Sequence, residues 1–242
     1  MSALLKVEGV NKRFRGLLAV DRLTFEVPEG GIFAVIGPNG AGKTTLFNMI
    51  AGLFPPDNGT IAFAGERIEG LTPDKICRRG IGRTFQLVRP FPALSVEDNV
   101  IVGALLHRHR VDAARSHAHE VLRRLDLYEK RTQRAASLTL PDRKRLEVAR
   151  ALATDPKLLL LDEVMAGLRP TETDRIVAIL KELNRETGLT ILLIEHVMRA
   201  VMALASHILV LHHGASIAQG APADVVRDRA VIDSYLGAEA VS

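Results

Sequence analysis

The apolar positions of this 242-residue chain follow two periods, and the switch between them organises the sequence. Near the N-terminus, residues 4–10 and 19–27 cluster or alternate apolar side chains with a period near two, which predicts short strands. Ile32–Ile36 is apolar throughout and predicts a buried strand. The turn Pro28-Glu29-Gly30-Gly31 precedes it, and a glycine-rich turn follows at once. Residues 44–51 have helical spacing that stops at Gly52. The turn Pro55-Pro56-Asp57-Asn58-Gly59 leads into a predicted strand over 60–63.

The middle differs. Gln86-Leu87-Val88-Arg89-Pro90-Phe91-Pro92 predicts a loop, because two prolines interrupt any regular element. From about 95 to 152 the pattern is helical and rich in Arg, Ala and Leu. Alternation then returns. Residues 158–161 predict a strand, 172–187 a helix closed by Gly188, and Thr190–Ile194 a strand. Residues 196–205 predict a helix, and 207–211 and 215–218 predict strands around His212-His213-Gly214. Strands alternating with helices imply an α/β fold with a mainly parallel, covered sheet. The expected organisation is one domain over 1–242. Its core is 1–86 and 153–242, beginning with a β-rich portion, and a helical subdomain over 87–152 is inserted. Neither an internal repeat nor a low-complexity segment is present.

Composition adds little. An apolar fraction of 47% and a charged fraction of 25% fit one globular domain. The net charge of +4 is compatible with nucleotides, a membrane surface or nucleic acid, and selects none of them. A single cysteine, Cys77, excludes an internal disulfide and a cysteine-based metal site, and is expected as a reduced thiol. No run approaches the ~18–20 apolar residues that span a bilayer. Met1-Ser2-Ala3-Leu4-Leu5-Lys6 lacks the basic-then-apolar pattern of a secretory leader. If the protein serves a membrane process, other chains are expected to supply the membrane part.

The first chemistry lies after the strand Ile32–Ile36. Gly37-Pro38-Asn39-Gly40-Ala41-Gly42-Lys43-Thr44 fits G-x-x-x-x-G-K-[ST], with the strand before it and the helix after it that this pattern requires. Glycines let the backbone wrap phosphate oxygens, and the N–H groups at the helix start favour negative charge. Lys43 can reach terminal phosphates and the Thr44 hydroxyl can bind Mg²⁺.

Leu158-Leu159-Leu160-Leu161-Asp162-Glu163 is an apolar strand ending in two carboxylates. Asp162 is expected to hold Mg²⁺, and Glu163 to orient or deprotonate an attacking water. His196 follows Leu192-Leu193-Ile194-Glu195, just beyond a strand end, where ligands collect in open parallel sheets. From spacing alone, a cap or surface histidine is the commoner reading.

In this order the elements resemble the ATP-binding cassette (ABC) ATPases across nearly the whole chain. Residues 37–45, through Thr45, look like the Walker A loop, and residues 158–163 like Walker B with its catalytic glutamate. Thr84-Phe85-Gln86 looks like the Q-loop, whose glutamine Gln86 would help bind Mg²⁺ and contact membrane subunits. Ala166-Gly167-Leu168 resembles the D-loop and His196 the switch histidine. Phe14 matches the aromatic that stacks on adenine; a phenylalanine of the core is the other reading. One branch is closer still. Gly82-Arg83-Thr84-Phe85-Gln86, Ile194-Glu195-His196-Val197-Met198, and the tail segments Ala218-Gln219-Gly220-Ala221-Pro222 and Val231-Ile232-Asp233-Ser234-Tyr235-Leu236-Gly237 look like the ATPases of branched-chain amino-acid importers.

The resemblance implies a P-loop NTPase core, ATP and Mg²⁺ as ligands, and ATP hydrolysis coupled to import. It implies transmembrane permease subunits, a second ABC ATPase subunit, and indirectly a periplasmic solute-binding protein, with no nucleic acid. It places the chain peripherally on the cytoplasmic face of the inner membrane. Related importers for urea, amides or aromatic acids share these motifs. A lipid-exporting ABC system, a non-transport cassette and a weakly hydrolysing regulatory module are the rival readings.

The pattern breaks at the signature loop. Where the family reads L-S-G-G-Q, this chain has Leu138-Thr139-Leu140-Pro141-Asp142, followed by an expected helix over 143–152. Thr139 keeps a hydroxyl that would face the partner's ATP. Pro141 offers no N–H, and Asp142 brings a negative charge, unfavourable if it faces a γ-phosphate, while both residue types suit a helix start and leave the helix intact. A homodimer would carry two impaired sites, so a heterodimer is favoured. Val164 replaces the usual proline after Glu163, which affects loop shape rather than the carboxylates. His107, His109, His117 and His119 alternate across helix faces and are expected on a solvated surface rather than on a metal. Arg143-Lys144-Arg145 and Arg78-Arg79 are expected to be solvated or subunit-facing.

Overall fold

The protein is described by a computed structural model covering residues 3–85 and 90–239, with 235–239 described by backbone alone. Its first half runs β1 (Ala3–Phe14), β2 (Leu17–Pro28), β3 (Ile32–Ile36), α1 (Lys43–Ile50), β4 (Asn58–Phe63), β5 (Glu66–Arg67), α2 (Pro73–Arg78) and β6 (Ile81–Arg83). Three helices follow: α3 (Val96–Ala104), α4 (Val111–Arg124) and α5 (Leu140–Leu152). The chain closes with β7 (Leu158–Asp162), α6 (Pro170–Thr187), β8 (Thr190–Ile194), α7 (Met198–Leu204), β9 (His207–His212), β10 (Ala215–Gly220), α8 (Pro222–Val225) and α9 (Arg229–Glu239).

Two sheets result. The N-terminal sheet is antiparallel, in the order β2-β1-β4-β5. The larger sheet has the order β10-β9-β3-β8-β7-β6 and is parallel except for the β9–β10 pair. Alternation along β7 explains its unbroken leucines. Leu159 and Leu161 face one core with α5 and α6, while Leu158 and Leu160 face a second core with β1 and α1. A strand covered on both faces needs apolar residues at every position. All four leucines are fully buried, and truncating any one to alanine would cost about 2–5 kcal/mol.

The sheet register sets the site. Val35 of β3 and Asp162 of β7 both pair with Ile194 of β8. The carboxyl ends of β3, β8 and β7 therefore finish level and side by side, as ligand sites of open parallel sheets require. The residues after each strand converge there.

Several elements differ from the sequence expectation. The β1–β2 hairpin runs past residue 10 and begins before residue 19, because polar Lys12 and Arg13 keep pairing at an exposed end. The Asp57 carboxylate ties them down, accepting from Lys12 Nζ and from the Arg13 N–H, each at 2.7 Å. The helix expected from 143 starts at Leu140, since Pro141 suits a first turn where no N–H is needed. The helix expected from His196 starts at Met198, leaving His196 in the connecting loop.

The basic run is corrected too. Only Arg143 is exposed; Lys144 and Arg145 are buried. Arg145 spends its guanidinium on Asp142 and on the carbonyls of Leu125 and Asp126, which makes burial tolerable. His107 and His109 are exposed, but His117 and His119 are half-buried beside Asp155 (3.0 Å) and Glu97 (2.8 Å). Among the described residues no helix is long and apolar enough to cross a membrane.

Candidate functional site

The phosphate-loop pattern folds as the turn between β3 and α1. Gly37 and Gly42 adopt φ of 146° and 102°. A Cβ on Gly37 would lie 2.1 Å from the Leu211 carbonyl oxygen, and one on Gly42 would lie 2.4 Å from that of Ala19. Only glycine fits both the conformation and the space. Lys43 opens α1 with its side chain folded back over the loop, and Nζ donates to the carbonyls of Gly37 (2.7 Å) and Pro38 (2.9 Å). Burial lowers its proton affinity, opposed by the charges of Glu163 and Asp162.

Across from the loop, Asp162 ends β7 and Glu163 begins the next turn in the left-handed region, at φ 51°. A non-glycine residue pays about 1–3 kcal/mol for such a conformation, which the surroundings must impose. The Glu163 N–H donates to the Ile194 carbonyl at 2.9 Å. His196 Nε2 lies 2.5 Å from Glu163 Oε1, its N–H donating to the carboxylate. The β7–β8 register thus joins two side chains that are 33 residues apart in sequence.

Asp162 is 2% exposed. Its Oδ2 accepts from Arg83 Nη2 at 3.4 Å, while Oδ1 has no hydrogen-bond partner among the described residues. Burial raises its pKa, and Arg83 and Lys43 pull it down. A buried carboxylate oxygen without a donor, near the exposed Thr44, is a donor set that suits a hard divalent cation such as Mg²⁺. Gln86 lies outside the described residues.

Two clefts meet at Thr44. One, of about 420 Å³, is lined by Phe14, residues 39–45, Glu163 and His213. The other, of about 620 Å³, runs past Arg83, Phe85, Glu147 and Asp162. Phe14 is 42% exposed, packed edge-to-face on Phe54 with centroids 5.2 Å apart. It is therefore not a core residue, and its ring is accessible for stacking.

The signature position corrects one expectation. Asp142 is not presented outward. It is 3% exposed and ion-paired to Lys130 and Arg145, and it accepts from the Thr139 hydroxyl at 2.8 Å. Its charge is balanced within the chain, because Arg145 one turn further along α5 and Lys130 from the segment before the helix both reach it. Burial pushes its pKa up, but those hydrogen bonds and charges outweigh burial and hold it below the ordinary value. The hydroxyl of Thr139 is occupied, and Leu140 is exposed beside Gly167.

Sequence reasoning missed four residues here: Arg83, Lys144, Glu195 and His213. Glu195 had a signal, since it directly follows an apolar strand as Glu163 does. Lys144 had a weaker one, sharing helical spacing with the buried Glu147, Val148 and Ala151. His213 had none beyond its glycine neighbour.

Comparison with known proteins agrees with this geometry. Residues 20–166 match the ABC transporter family, and residues 216–241 match the branched-chain amino acid ATP-binding cassette transporter family. The chain is 39% identical over 249 residues to the high-affinity branched-chain amino acid transport ATP-binding protein BraF of Pseudomonas aeruginosa, covering 97% of this chain and 98% of the relative. It is 40% identical, with the same coverage, to the corresponding LivG protein of Salmonella typhimurium. A crystal structure of the ADP conformation of an ABC transporter cassette superposes with a TM-score of 0.89 at 30% identity, over 98% of this chain and 100% of the other. A nucleotide-free cassette gives 0.88 at 29% identity, over 97% and 99%. This chain belongs to the ABC transporter family as an ATP-binding cassette.

Proposed function

We propose that this chain hydrolyses ATP to energise an importer of branched-chain amino acids. The convergence of Lys43, Asp162, Glu163 and His196 on the ends of three adjacent strands carries the ATPase part of this reading. The match of residues 216–241 and the near-full-length likeness to BraF and LivG support the solute class.

In this reading the triphosphate lies on the residue 37–45 loop, with adenine stacked on Phe14. Lys43 exchanges the carbonyls of Gly37 and Pro38 for phosphate oxygens, keeping its ammonium hydrogen-bonded throughout. The Glu163 carboxylate orients water in line with the γ-phosphorus and accepts its proton as ADP leaves. His196 holds that carboxylate through Oε1. Thr44, Asp162 and Gln86 are the residues that would hold Mg²⁺, which when bound neutralises charge developing on the phosphates.

The helical region 87–152 and the cleft past Phe85 are the parts we assign to contact with permease subunits. The chain would then sit peripherally at the cytoplasmic face of the inner membrane, served by a periplasmic binding protein. The occupied Thr139 hydroxyl and the missing N–H of Pro141 favour pairing with a different ATPase subunit over a homodimer. Solubilising the complex in mild detergent tests this assembly. Two multi-spanning subunits and a second, distinct cassette are expected to copurify. Recovery of this chain alone would favour a regulatory ATP-binding module instead.

A further inference from the structure

We propose that Lys144 and Glu195 are positioning residues that hold the Glu163 turn in its working conformation from two sides. The proposal rests on the reading of Glu163 as the group that orients the attacking water.

Glu163 sits in the left-handed region at φ 51°, so its carboxylate points where it does only while the turn is restrained. Its own N–H is fixed by the Ile194 carbonyl. Its carbonyl oxygen accepts from Lys144 Nζ at 2.9 Å and from the Ala166 N–H at 3.2 Å. Two residues on, the Met165 N–H donates to Glu195 Oε1 at 2.8 Å. One restraint thus comes from α5 and the other from the end of β8. Removing either frees one side of the turn.

The chemistry of the two groups argues against simple packing. Lys144 is 5% exposed and Glu195 is 1% exposed. Burial disfavours the ammonium, and the charges of Glu195, Glu163, Asp162 and Glu147 partly offset this. An apolar side chain of similar volume would fill the same space without desolvating a charge. What it could not do is donate to a carbonyl at the turn. Glu195, buried directly after β8, likewise places an acceptor where an apolar side chain could pack, and the Met165 N–H uses it. Lys144 also belongs to α5, which starts at Leu140 directly after Thr139, so the turn bearing Glu163 is tied to the signature position through one helix.

The test is steady-state ATP hydrolysis by the complex purified with this chain, comparing Lys144→Met, Lys144→Arg, Glu195→Ala and Glu195→Gln. The Met and Ala variants are expected to lose about ten- to a hundredfold in kcat, as misplaced catalytic groups do, with the KM for ATP within about twofold. The Arg and Gln variants keep a donor to the Glu163 carbonyl and an acceptor for the Met165 N–H. They are expected to recover kcat to within about threefold of the unaltered complex. Unchanged turnover in Lys144→Met and Glu195→Ala would overturn the proposal. So would equal loss in all four variants with KM and melting temperature shifting together, since that marks a merely structural role. Should Glu195→Ala fail to fold, Lys144→Met and its Arg counterpart decide alone. Normal turnover by Glu163→Gln would instead refute the underlying reading of Glu163, an outcome distinct from failure of the restraints.

Discussion

His196 Nε2 lies 2.5 Å from Glu163 Oε1, a contact between the loops that leave two neighbouring parallel strands. The imidazole donates to the carboxylate and so fixes the rotamer that faces the phosphate loop. We expect His196→Ala to lower kcat by about ten- to a hundredfold while leaving ATP affinity unchanged. In a Glu163→Gln background the same substitution should add little further loss, because the two act as one unit. Additive losses in the double variant would contradict the coupling.

Lys43 spends its three donors partly on its own loop, at 2.7 and 2.9 Å from two carbonyls. Lys43→Ala should weaken ATP binding by about tenfold or more, the worth of a charge-assisted contact to phosphate. Titration with a fluorescent nucleotide would read this directly. Undiminished affinity would remove Lys43 from the phosphate site.

The altered signature position makes a stability prediction. Asp142→Ala leaves the buried Arg145 with only the longer Asp126 carboxylate contact at 3.8 Å and should destabilise the protein by about 2–3 kcal/mol, with part of the loss moderated by that contact and by the exposure of Lys130. Because the Asp142 pKa is lowered, its contribution is fully present above the ordinary aspartate value and is lost as pH falls through the lowered one. Denaturant melts of the parent should weaken below about pH 4, and this loss should be smaller in the variant.

Glu195 has the opposite sign. Burial raises its pKa to about 7, partly offset by hydrogen bonds from the Met165 and His196 backbones; the Glu163 charge raises it further and Lys144 lowers it. The folded chain therefore holds a proton between the ordinary glutamate value and about 7 that the unfolded chain has released. Its contribution to stability should decline as pH rises across that window and level off above it. Glu195→Gln should flatten this part of the pH–stability curve, and an unaltered slope would show that another group sets it.

Much of this site is legible in the sequence because its chemistry is carried by contiguous motifs. The strand-turn-helix around Lys43 and the leucine strand ending at Asp162 each announce themselves through period and terminal residue type. What the sequence does not display is which buried polar groups find one another. Lys144 and Arg145 look like surface cations until α5 is docked, and Asp142 looks like an outward charge until Lys130 arrives from the segment before it. The orientation of α5 and the β7–β8 register decide these pairings, and both are tertiary properties. Helix starts are decided locally: Leu140 and Pro141 form the first turn of α5, where proline needs no N–H, whereas nothing in the residue types after His196 marks the start of α7 at Met198.

ATP-driven uptake of radiolabelled leucine into vesicles carrying the complex, measured with unaltered Glu163 and with Glu163→Gln, tests branched-chain import powered by this chain. We expect uptake that follows hydrolysis in the first case. In the second, nucleotide should remain bound while hydrolysis and uptake fall by at least about a hundredfold. Leucine uptake at the unaltered rate in Glu163→Gln, or ATP hydrolysis by the unaltered complex without any branched-chain solute moving, would contradict it.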